Sequence, residues 1–204
     1  MDLFGEPEDL NGVKIWPALL DREAQEAMVR ALRDVAAMAP FRQYETPGGN
    51  KMSVRMSAAG NVGWVTDRAG YRYDQVQPDG RGWPDIPEPI LDVWRRVSGE
   101  ERLPDSCLVN FYGEGAKMGM HQDRDEVETS WPVVSISLGD EALFRVGGLS
   151  RGGKTKSRWL SSGDVAVLSG AARLAFHGID RIKFGSSDLL PDSGRINVTL
   201  RVAG

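Results

Sequence analysis

The chain has 204 residues, enough for one globular domain, and 41% of them are hydrophobic. Its formal net charge is -4, so the overall field does not favour nucleic-acid binding, although a local basic surface would suffice. The single cysteine, Cys107, excludes an intramolecular disulfide and favours a reducing, cytoplasmic location. No apolar run approaches the ~20 residues of a membrane span, and residues 1–9 lack the apolar segment of a signal peptide. Nothing in the pattern indicates oligomerisation, and we expect a monomer.

The first half of the chain predicts two helices. Residues 1–12 are an acidic lead-in that we expect to be loosely held. Asp21 can cap a helix that continues to Met38, and the apolar residues within it recur at the spacing of one buried face. Glu88–Val97 predicts a shorter helix, and the glycine-bounded segment Met52–Met56 predicts a strand.

From Cys107 onwards the apolar residues alternate with polar ones, which is typical of strands separated by Gly, Asp and Ser. The predicted strands are 107–112, 133–138, 142–146, 157–161, 164–168, 172–177 and 195–202. Seven short strands after two helices predict a mostly β fold with flanking helices, built as a double-sheet jelly roll with an open mouth between its sheets.

The only two histidines belong to a candidate metal site. His121 and Asp123 stand at positions i and i+2 of a predicted extended segment, so both side chains project to the same side. The third ligand has to come from elsewhere, and His177 is the only histidine left. Two imidazoles and one carboxylate form the facial triad of non-haem Fe(II) oxygenases, although Zn²⁺ accepts the same set. A zinc hydrolase would also need a base, for which Asp125 or Glu126 is available.

The last predicted strand is the candidate site for an anionic co-substrate. Arg195, Asn197, Thr199 and Arg201 share one face of it, and the opposite face is apolar. Two guanidinium groups on one face can bind a small dicarboxylate bidentately. On strand 107–112, Asn110 and Tyr112 share a face and can add neutral hydrogen bonds to the same ligand. The alternative is a solvated strand face with ordinary surface arginines.

Several separated motifs, in the same order, resemble the bacterial AlkB DNA-repair dioxygenases. They are Cys107–Tyr112, His121–Glu126, Val134–Gly139, Gly147–Leu149, Phe176–Ile179 and Arg195–Arg201, preceded by 40–43, 46–49, 52–54 and 63–64. The resemblance spans most of the chain. It implies a double-stranded β-helix core at 107–204, which forms one structural unit with N-terminal helices and a nucleotide-recognition lid at 13–106.

The resemblance also implies Fe(II), 2-oxoglutarate and O2 as cofactor and co-substrates. The implied iron ligands, which are also the catalytic residues, are His121, Asp123 and His177. Arg195 would pair with the distal carboxylate of 2-oxoglutarate, with help from Tyr112 and Asn197. Arg201 and Asn110 would support the end that chelates iron. The implied reaction oxidises the N-methyl group of a damaged base and releases formaldehyde, succinate and CO2.

The implied substrate is alkylated DNA, single- or double-stranded, with lesions of the 1-methyladenine and 3-methylcytosine type. A base inside a duplex must be flipped out to reach such a site. Trp64 would stack on it opposite His121, and Tyr71 would bind near the sugar-phosphate. Asp125 would accept a hydrogen bond from the exocyclic amine and favour a cationic lesion. Thr46 and Arg151 are the candidate backbone contacts, since hydroxyls and cations position phosphates.

Two positions depart from the best-known member of the family. Asn50 replaces a tyrosine after the Gly-Gly pair, and Gly119 replaces a serine before the first metal histidine. Both changes bear on strand preference rather than on iron chemistry. Three alternatives therefore stay open: action on RNA, above all tRNA, action on a protein side chain, and a non-catalytic module that binds a metal or a nucleic acid.

Overall fold

The computed structural model describes residues 5–204. Both predicted helices are confirmed: α1 spans Arg22–Met38 and α2 spans Glu88–Val97. The carboxylate of Asp21 accepts a hydrogen bond from the Ala24 amide at 2.9 Å and so caps α1. Within the described residues, no helix is both long and apolar enough to cross a membrane.

Strands make up most of the remaining regular structure. In chain order they are β1 (Glu8–Leu10), β2 (Val13–Trp16), β3 (Arg55–Gly60), β4 (Gly63–Asp67), β5 (Gly70–Asp74), β6 (Ser106–Tyr112), β7 (Met118–His121), β8 (Val133–Gly139), β9 (Glu141–Val146), β10 (Lys156–Leu160), β11 (Val165–Leu168), β12 (His177–Lys183) and β13 (Arg195–Arg201). A short 3-10 turn covers Gly170–Ala172.

The strands form two facing sheets and one separate hairpin. The larger sheet has the order β1-β2-β11-β8-β13-β6-β3, and the smaller one has the order β10-β9-β12-β7. Among the strands of the described residues, β4 and β5 pair only with each other, and we call them the 63–74 hairpin. The predicted mostly β, jelly-roll class is confirmed.

Two hydrophobic cores follow from the alternation of side chains along the larger sheet. Its outer face packs against α1 and α2, with Val198 and Leu200 buried beside Leu32 and Trp94. Its inner face meets the smaller sheet in a second core that includes Phe144. Because successive residues of a strand point to opposite faces, the polar residues of β13 must face the space between the sheets.

Three local predictions need correction. The strand predicted at 172–177 is wrong, since that segment contains the end of the 3-10 turn and the strand runs from His177 to Lys183. The apolar residues 174–176 match the pattern of a strand, although they lie in the turn and the short loop that lead into it. The strand predicted at 52–56 begins later, at Arg55. Glu8–Leu10, part of the predicted lead-in, pair with β2 as the edge strand β1, and residues 1–4 lie outside the described residues.

Candidate active site

A cavity of about 400 Å³ opens between the two sheets below the 63–74 hairpin. Its walls combine polar residues from β6 and β13, apolar residues from both sheets and aromatic residues from the hairpin. The predicted site residues among its lining are Trp64, Tyr71, Asn110, Tyr112, His121, Asp123, Asp125, Arg151, His177, Arg195, Asn197 and Arg201. Thr46 is the one predicted site residue that does not line it.

The two histidines face each other across neighbouring antiparallel strands. His121 ends β7, His177 begins β12, and the two are direct register partners. Their ring centroids are 4.5 Å apart. Gly178 permits this approach, because a Cβ there would lie 2.6 Å from the Met118 carbonyl oxygen. Strand pairing therefore brings together two imidazoles that are 56 positions apart in the chain.

Backbone carbonyls orient both imidazoles towards a common point. Nδ1 of His121 lies 2.9 Å from the Gly119 oxygen, and Nδ1 of His177 lies 2.9 Å from the Ala175 oxygen. A carbonyl oxygen can only accept, so each Nδ1 carries the proton and each Nε2 presents a lone pair. This is the arrangement that metal-binding histidines use.

Asp123 completes the cluster. Its two carboxylate oxygens lie 3.5 Å from His121 Nε2 and 3.8 Å from His177 Nε2. One ligand atom from each of the three residues lies within 4.8 Å of the others. The predicted grouping of His121, Asp123 and His177 is confirmed, and this donor set fits a divalent metal such as Fe(II).

The pKa shifts of His177 and Asp123 suit a metal site. Burial lowers the pKa of His177 to about 4, so its imidazole is neutral at pH 7. Burial alone would raise the pKa of Asp123, but Arg201 and the two imidazoles hold it well below its usual range. For His121, burial disfavours the charged ring, but the hydrogen bond and charge of Asp123 outweigh burial and raise its pKa.

A buried network holds Asp123 in place. Arg201 donates to Asp123 Oδ2 at 2.9 Å, and Arg173 donates to the Asp123 carbonyl oxygen at 2.7 Å. The Glu126 carboxylate also lies 3.2 Å from the Arg201 guanidinium and 3.1 Å from the Arg173 guanidinium. Burial opposes the charge of Arg201, but Asp123 and its other neighbours raise its pKa. Because Glu126 is already paired with two cations, it is not available as the base of a zinc hydrolase.

Arg195, at the other end of β13, is a buried cation without a carboxylate partner. Arg195 is fully buried, and among the described residues no carboxylate lies within ion-pair distance of its guanidinium group. Its guanidinium donates to Ser137 Oγ at 2.8 Å, while Nε makes no hydrogen bond. Burial lowers its pKa to about 10, so it remains charged at pH 7. A buried charge is costly unless it is paired, so this end of the cavity fits a ligand carboxylate.

Neutral polar groups line the cavity wall from Arg195 towards the middle of β13. Tyr112 is the register partner of Arg195, and burial raises its pKa to about 12, so its hydroxyl remains a donor. Asn110, the partner of Asn197, has a buried Oδ1 without a hydrogen bond. Asn197 itself donates to Ser135 Oγ at 2.7 Å. The residues present therefore fit a small diacid such as 2-oxoglutarate, with unused hydrogen-bonding capacity on the cavity wall.

The 63–74 hairpin supplies an aromatic wall. Trp64 and Tyr71 stack with their ring centroids 5.5 Å apart and an angle of 18° between the rings. The indole Nε1 of Trp64 donates to Asp125 Oδ2 at 2.9 Å. At the rim, the Arg151 guanidinium lies 5.2 Å from the Phe176 ring centroid. A flat aromatic surface, a carboxylate and a cation thus share the mouth of one cavity.

Thr46 lies outside this arrangement. Its hydroxyl accepts a hydrogen bond from the Asn50 amide at 3.2 Å and closes the turn at 46–50. The phosphate-binding role expected for Thr46 stays a prediction, because the residue is away from the cavity lining.

Sequence reasoning missed three residues of the site. Tyr73 and Arg173 were not considered, and Glu126 was considered only as a hydrolase base. Tyr73 had a usable signal, since it stands two positions after Tyr71 on a strand and so shares its face. Arg173 had none, because its three acceptors belong to segments 42 to 50 positions away.

Comparison with known proteins agrees with this geometry. Residues 12–201 match the family model of the 2OG-Fe(II) oxygenase superfamily. The alpha-ketoglutarate-dependent dioxygenase AlkB homolog of Caulobacter vibrioides is 55% identical over 94% of this chain and 88% of its own. The alpha-ketoglutarate-dependent dioxygenase AlkB of Escherichia coli is 40% identical over 100% of this chain and 98% of its own. The solved structure titled OsALKBH1 superposes with a TM-score of 0.79 at 31% identity, covering 95% of this chain and 100% of that one.

The metal cluster, the buried Arg195 on the cavity wall and the similarity over nearly the whole chain point to the same chemistry, in which Fe(II), 2-oxoglutarate and O2 take part. The chain belongs to the 2OG-Fe(II) oxygenase superfamily and is an AlkB-type, 2-oxoglutarate-dependent dioxygenase.

Proposed function

We propose that this dioxygenase removes methyl groups oxidatively from N-alkylated bases in DNA, of the 1-methyladenine and 3-methylcytosine type. The observation that carries the proposal is the placement of Trp64, Tyr71 and Asp125 on the same cavity as the His121–Asp123–His177 cluster. Stacking on an aromatic ring contributes roughly 1–3 kcal/mol per base and suits any base. A duplex base would have to leave its stack to enter this cavity.

The cofactor roles follow from the two ends of the cavity. In the proposal, His121, Asp123 and His177 hold Fe(II), while Arg195, Tyr112 and Asn197 bind the distal carboxylate of 2-oxoglutarate, and Arg201 and Asn110 support the end beside iron. When bound, Fe(II), 2-oxoglutarate and O2 supply the oxidation that converts N–CH3 to N–CH2OH, with succinate and CO2 as by-products. Loss of formaldehyde from the hydroxymethyl group then restores the N–H base.

The remaining residues of the cavity position the base. Trp64 offers a flat surface, and its indole N–H holds Asp125 at the cavity mouth. The Asp125 carboxylate has a second oxygen that can accept from an exocyclic amine, and its charge favours a cationic lesion. Tyr71, which is about half exposed, and Arg151 at the rim suit contacts to the sugar-phosphate. The apolar residues around the metal cluster, Leu108, Phe144 and Ile179 among them, exclude water from the reacting methyl group.

One experiment tests the substrate class directly. Purified protein is incubated with Fe(II), 2-oxoglutarate, ascorbate and a single-stranded oligonucleotide that carries one 1-methyladenine or 3-methylcytosine, and the oligonucleotide is weighed by mass spectrometry. We expect the loss of one methyl group together with stoichiometric succinate and formaldehyde. The matched control is the same reaction with His121→Ala. An unchanged mass in the presence of iron-dependent succinate formation would reject the methylated base as substrate.

Two further arms address the remaining alternatives. The same lesion in a duplex and in an RNA strand tests strand and sugar preference, for which Asn50 offers an amide in place of the aromatic ring of a tyrosine and Gly119 lacks the hydroxyl of a serine. We also propose that the protein acts as a cytoplasmic monomer. The buried free thiol of Cys107 is compatible with a reducing compartment.

A further inference from the structure

The backbone that leads into His177 is paired differently on its two sides. On the side of β9, backbone pairing continues before the histidine, because the Gly147 amide donates to the Phe176 oxygen at 2.7 Å. On the side of β7, the register ends where His121 faces His177. Within the described part of the chain, the segment 173–176 therefore has no strand partner on the β7 side.

Two side chains link the segments where this backbone pairing stops. Gln122, which stands between two metal-ligand residues, donates through Nε2 to the Leu174 oxygen at 2.6 Å. In the opposite direction, Arg173 donates to the Asp123 oxygen at 2.7 Å. Each segment thus provides one side-chain donor for a backbone carbonyl of the other. The Arg173 bond holds Asp123, whereas the Gln122 bond holds the segment that leads into His177.

The Leu174 carbonyl lies one peptide unit before the carbonyl that orients His177. The Ala175 oxygen is 2.9 Å from His177 Nδ1, and Leu174 directly precedes Ala175. Since a peptide unit is planar, a fixed Leu174 carbonyl leaves only the two backbone dihedral angles of Ala175 between it and the Ala175 carbonyl. Among residues 5–204, no group other than Gln122 donates to the Leu174 oxygen.

The same amide group also reaches the loop that follows β9. Gln122 Nε2 donates to the Leu149 oxygen at 3.3 Å, and an amide nitrogen has two hydrogens with which to make both bonds. Gln122 is partly buried and lies on the wall of the cavity that holds the metal cluster. One side chain therefore joins the ends of three neighbouring strands, β7, β12 and β9, beside the two histidines.

We propose that Gln122 is a positioning residue of the metal site, which keeps His177 aligned with His121 and Asp123 through the Leu174 carbonyl. Without the amide, the peptide unit before Ala175 is free to rotate, and the imidazole of His177 loses part of its fixed orientation. Groups that orient metal ligands typically contribute 10- to 100-fold to metal affinity. This role belongs to the metal site and does not depend on the proposed nucleic-acid substrate.

A metal titration of matched variants tests the role of Gln122. Gln122→Met keeps the length of the side chain and removes both donors. Gln43→Met is the control, because Gln43 makes the same kind of bond, from Nε2 to the Met52 oxygen at 2.8 Å, but does not line the cavity. Co(II), whose visible absorption depends on ligand geometry, is titrated into each apo protein in the presence of 2-oxoglutarate. We expect the dissociation constant to rise about 10- to 100-fold in Gln122→Met and to keep its parent value in Gln43→Met.

Unfolding of the apo proteins separates positioning from stability. Each variant loses hydrogen bonds to backbone oxygens, so the denaturant midpoints of both should fall slightly. If Gln122 served only the fold, its variant would unfold earlier while the dissociation constant and the Co(II) spectrum stayed at their parent values, and the proposal would be overturned. A change in oligonucleotide affinity alone would overturn it too, because Gln122 would then be a substrate contact.

The iron requirement of turnover provides an independent measurement. In succinate formation from 2-oxoglutarate, Gln122→Met should need about 10- to 100-fold more Fe(II) for its half-maximal rate, and excess Fe(II) should largely restore the rate. A lower maximal rate at an unchanged Fe(II) requirement would contradict the proposal. Gln122→Asn keeps an amide on a side chain that is one methylene shorter, and it should resemble Gln122→Met. Parent-like metal affinity in Gln122→Asn would show that the bond to Leu174 is immaterial.

Discussion

The two ends of β13 carry the same side chain in opposite electrostatic situations. Arg201 is paired with Asp123 and Glu126, and its pKa is raised by them. Arg195, six residues earlier on the same face, is fully buried and has no carboxylate partner within residues 5–204, and burial lowers its pKa to about 10. One cation is neutralised by the fold and belongs to the metal site. The other has no carboxylate partner among the described residues, and we propose it as the site for a carboxylate of the co-substrate.

The largest expected effect concerns the metal cluster beside Arg201. His121→Ala should reduce demethylation below detection, because it removes one of three ligands while leaving the Arg201–Asp123 pair intact. Since the His121 side chain is 40% exposed, the melting temperature should change little. Bound iron and formaldehyde release are measured together. Turnover by folded, iron-free His121→Ala would contradict the triad.

The Arg201→Met variant tests how much the ion pairs of Arg201 contribute to the free energy of unfolding. Removing this cation leaves the buried Asp123 carboxylate without its arginine partner and Glu126 with Arg173 alone, and breaking a buried ion pair from one side costs about 3–5 kcal/mol. Denaturant unfolding of the apo protein measures the change. Arg195→Met is the matched comparison, and it should be close to neutral or stabilising, because it replaces an unpaired buried charge with an apolar side chain. Equal losses in the two variants would remove the distinction between the two ends.

The Arg195→Ala variant tests whether Arg195, the unpaired arginine of β13, binds 2-oxoglutarate. A charge-assisted hydrogen bond contributes about 1.5–3 kcal/mol, so the Michaelis constant for 2-oxoglutarate should rise roughly 10- to 100-fold. Arg195→Lys keeps the charge but loses the planar fork, and should fall between the parent and Arg195→Ala. An unchanged Michaelis constant would show that the diacid is bound elsewhere.

Asp125→Ala should have the smallest effect and the most selective one. The loss of a carboxylate that faces a cationic lesion should lower kcat/KM about tenfold for 1-methyladenine and 3-methylcytosine, which corresponds to about 1.4 kcal/mol. A neutral N-alkylated base should lose less. Competition between the two lesion types in one reaction measures the difference. Equal losses would show that Asp125 acts only through its hydrogen bond with Trp64.

The predictable parts of this protein were those governed by local periodicity. The helical spacing within 22–38 and the strict alternation in β13 each placed the right residues on the right face. The start of β12 was not predictable in this way, because the residues before His177 are as apolar as a strand. Only the pairing of His177 with His121 and Val146 decides where the strand begins.

The sequence by itself determined the ligand set, since two histidines and a nearby aspartate left few ways to build a metal site, and it determined which face of β13 is polar. The tertiary structure decided which arginine is paired, because Asp123 and Glu126 reach Arg201 from 78 and 75 positions away in the chain. It also decided that Tyr73 reaches Glu126, 53 positions away. Charge pairing depends on distances of a few ångströms, which only the packing of the two sheets and the hairpin can set.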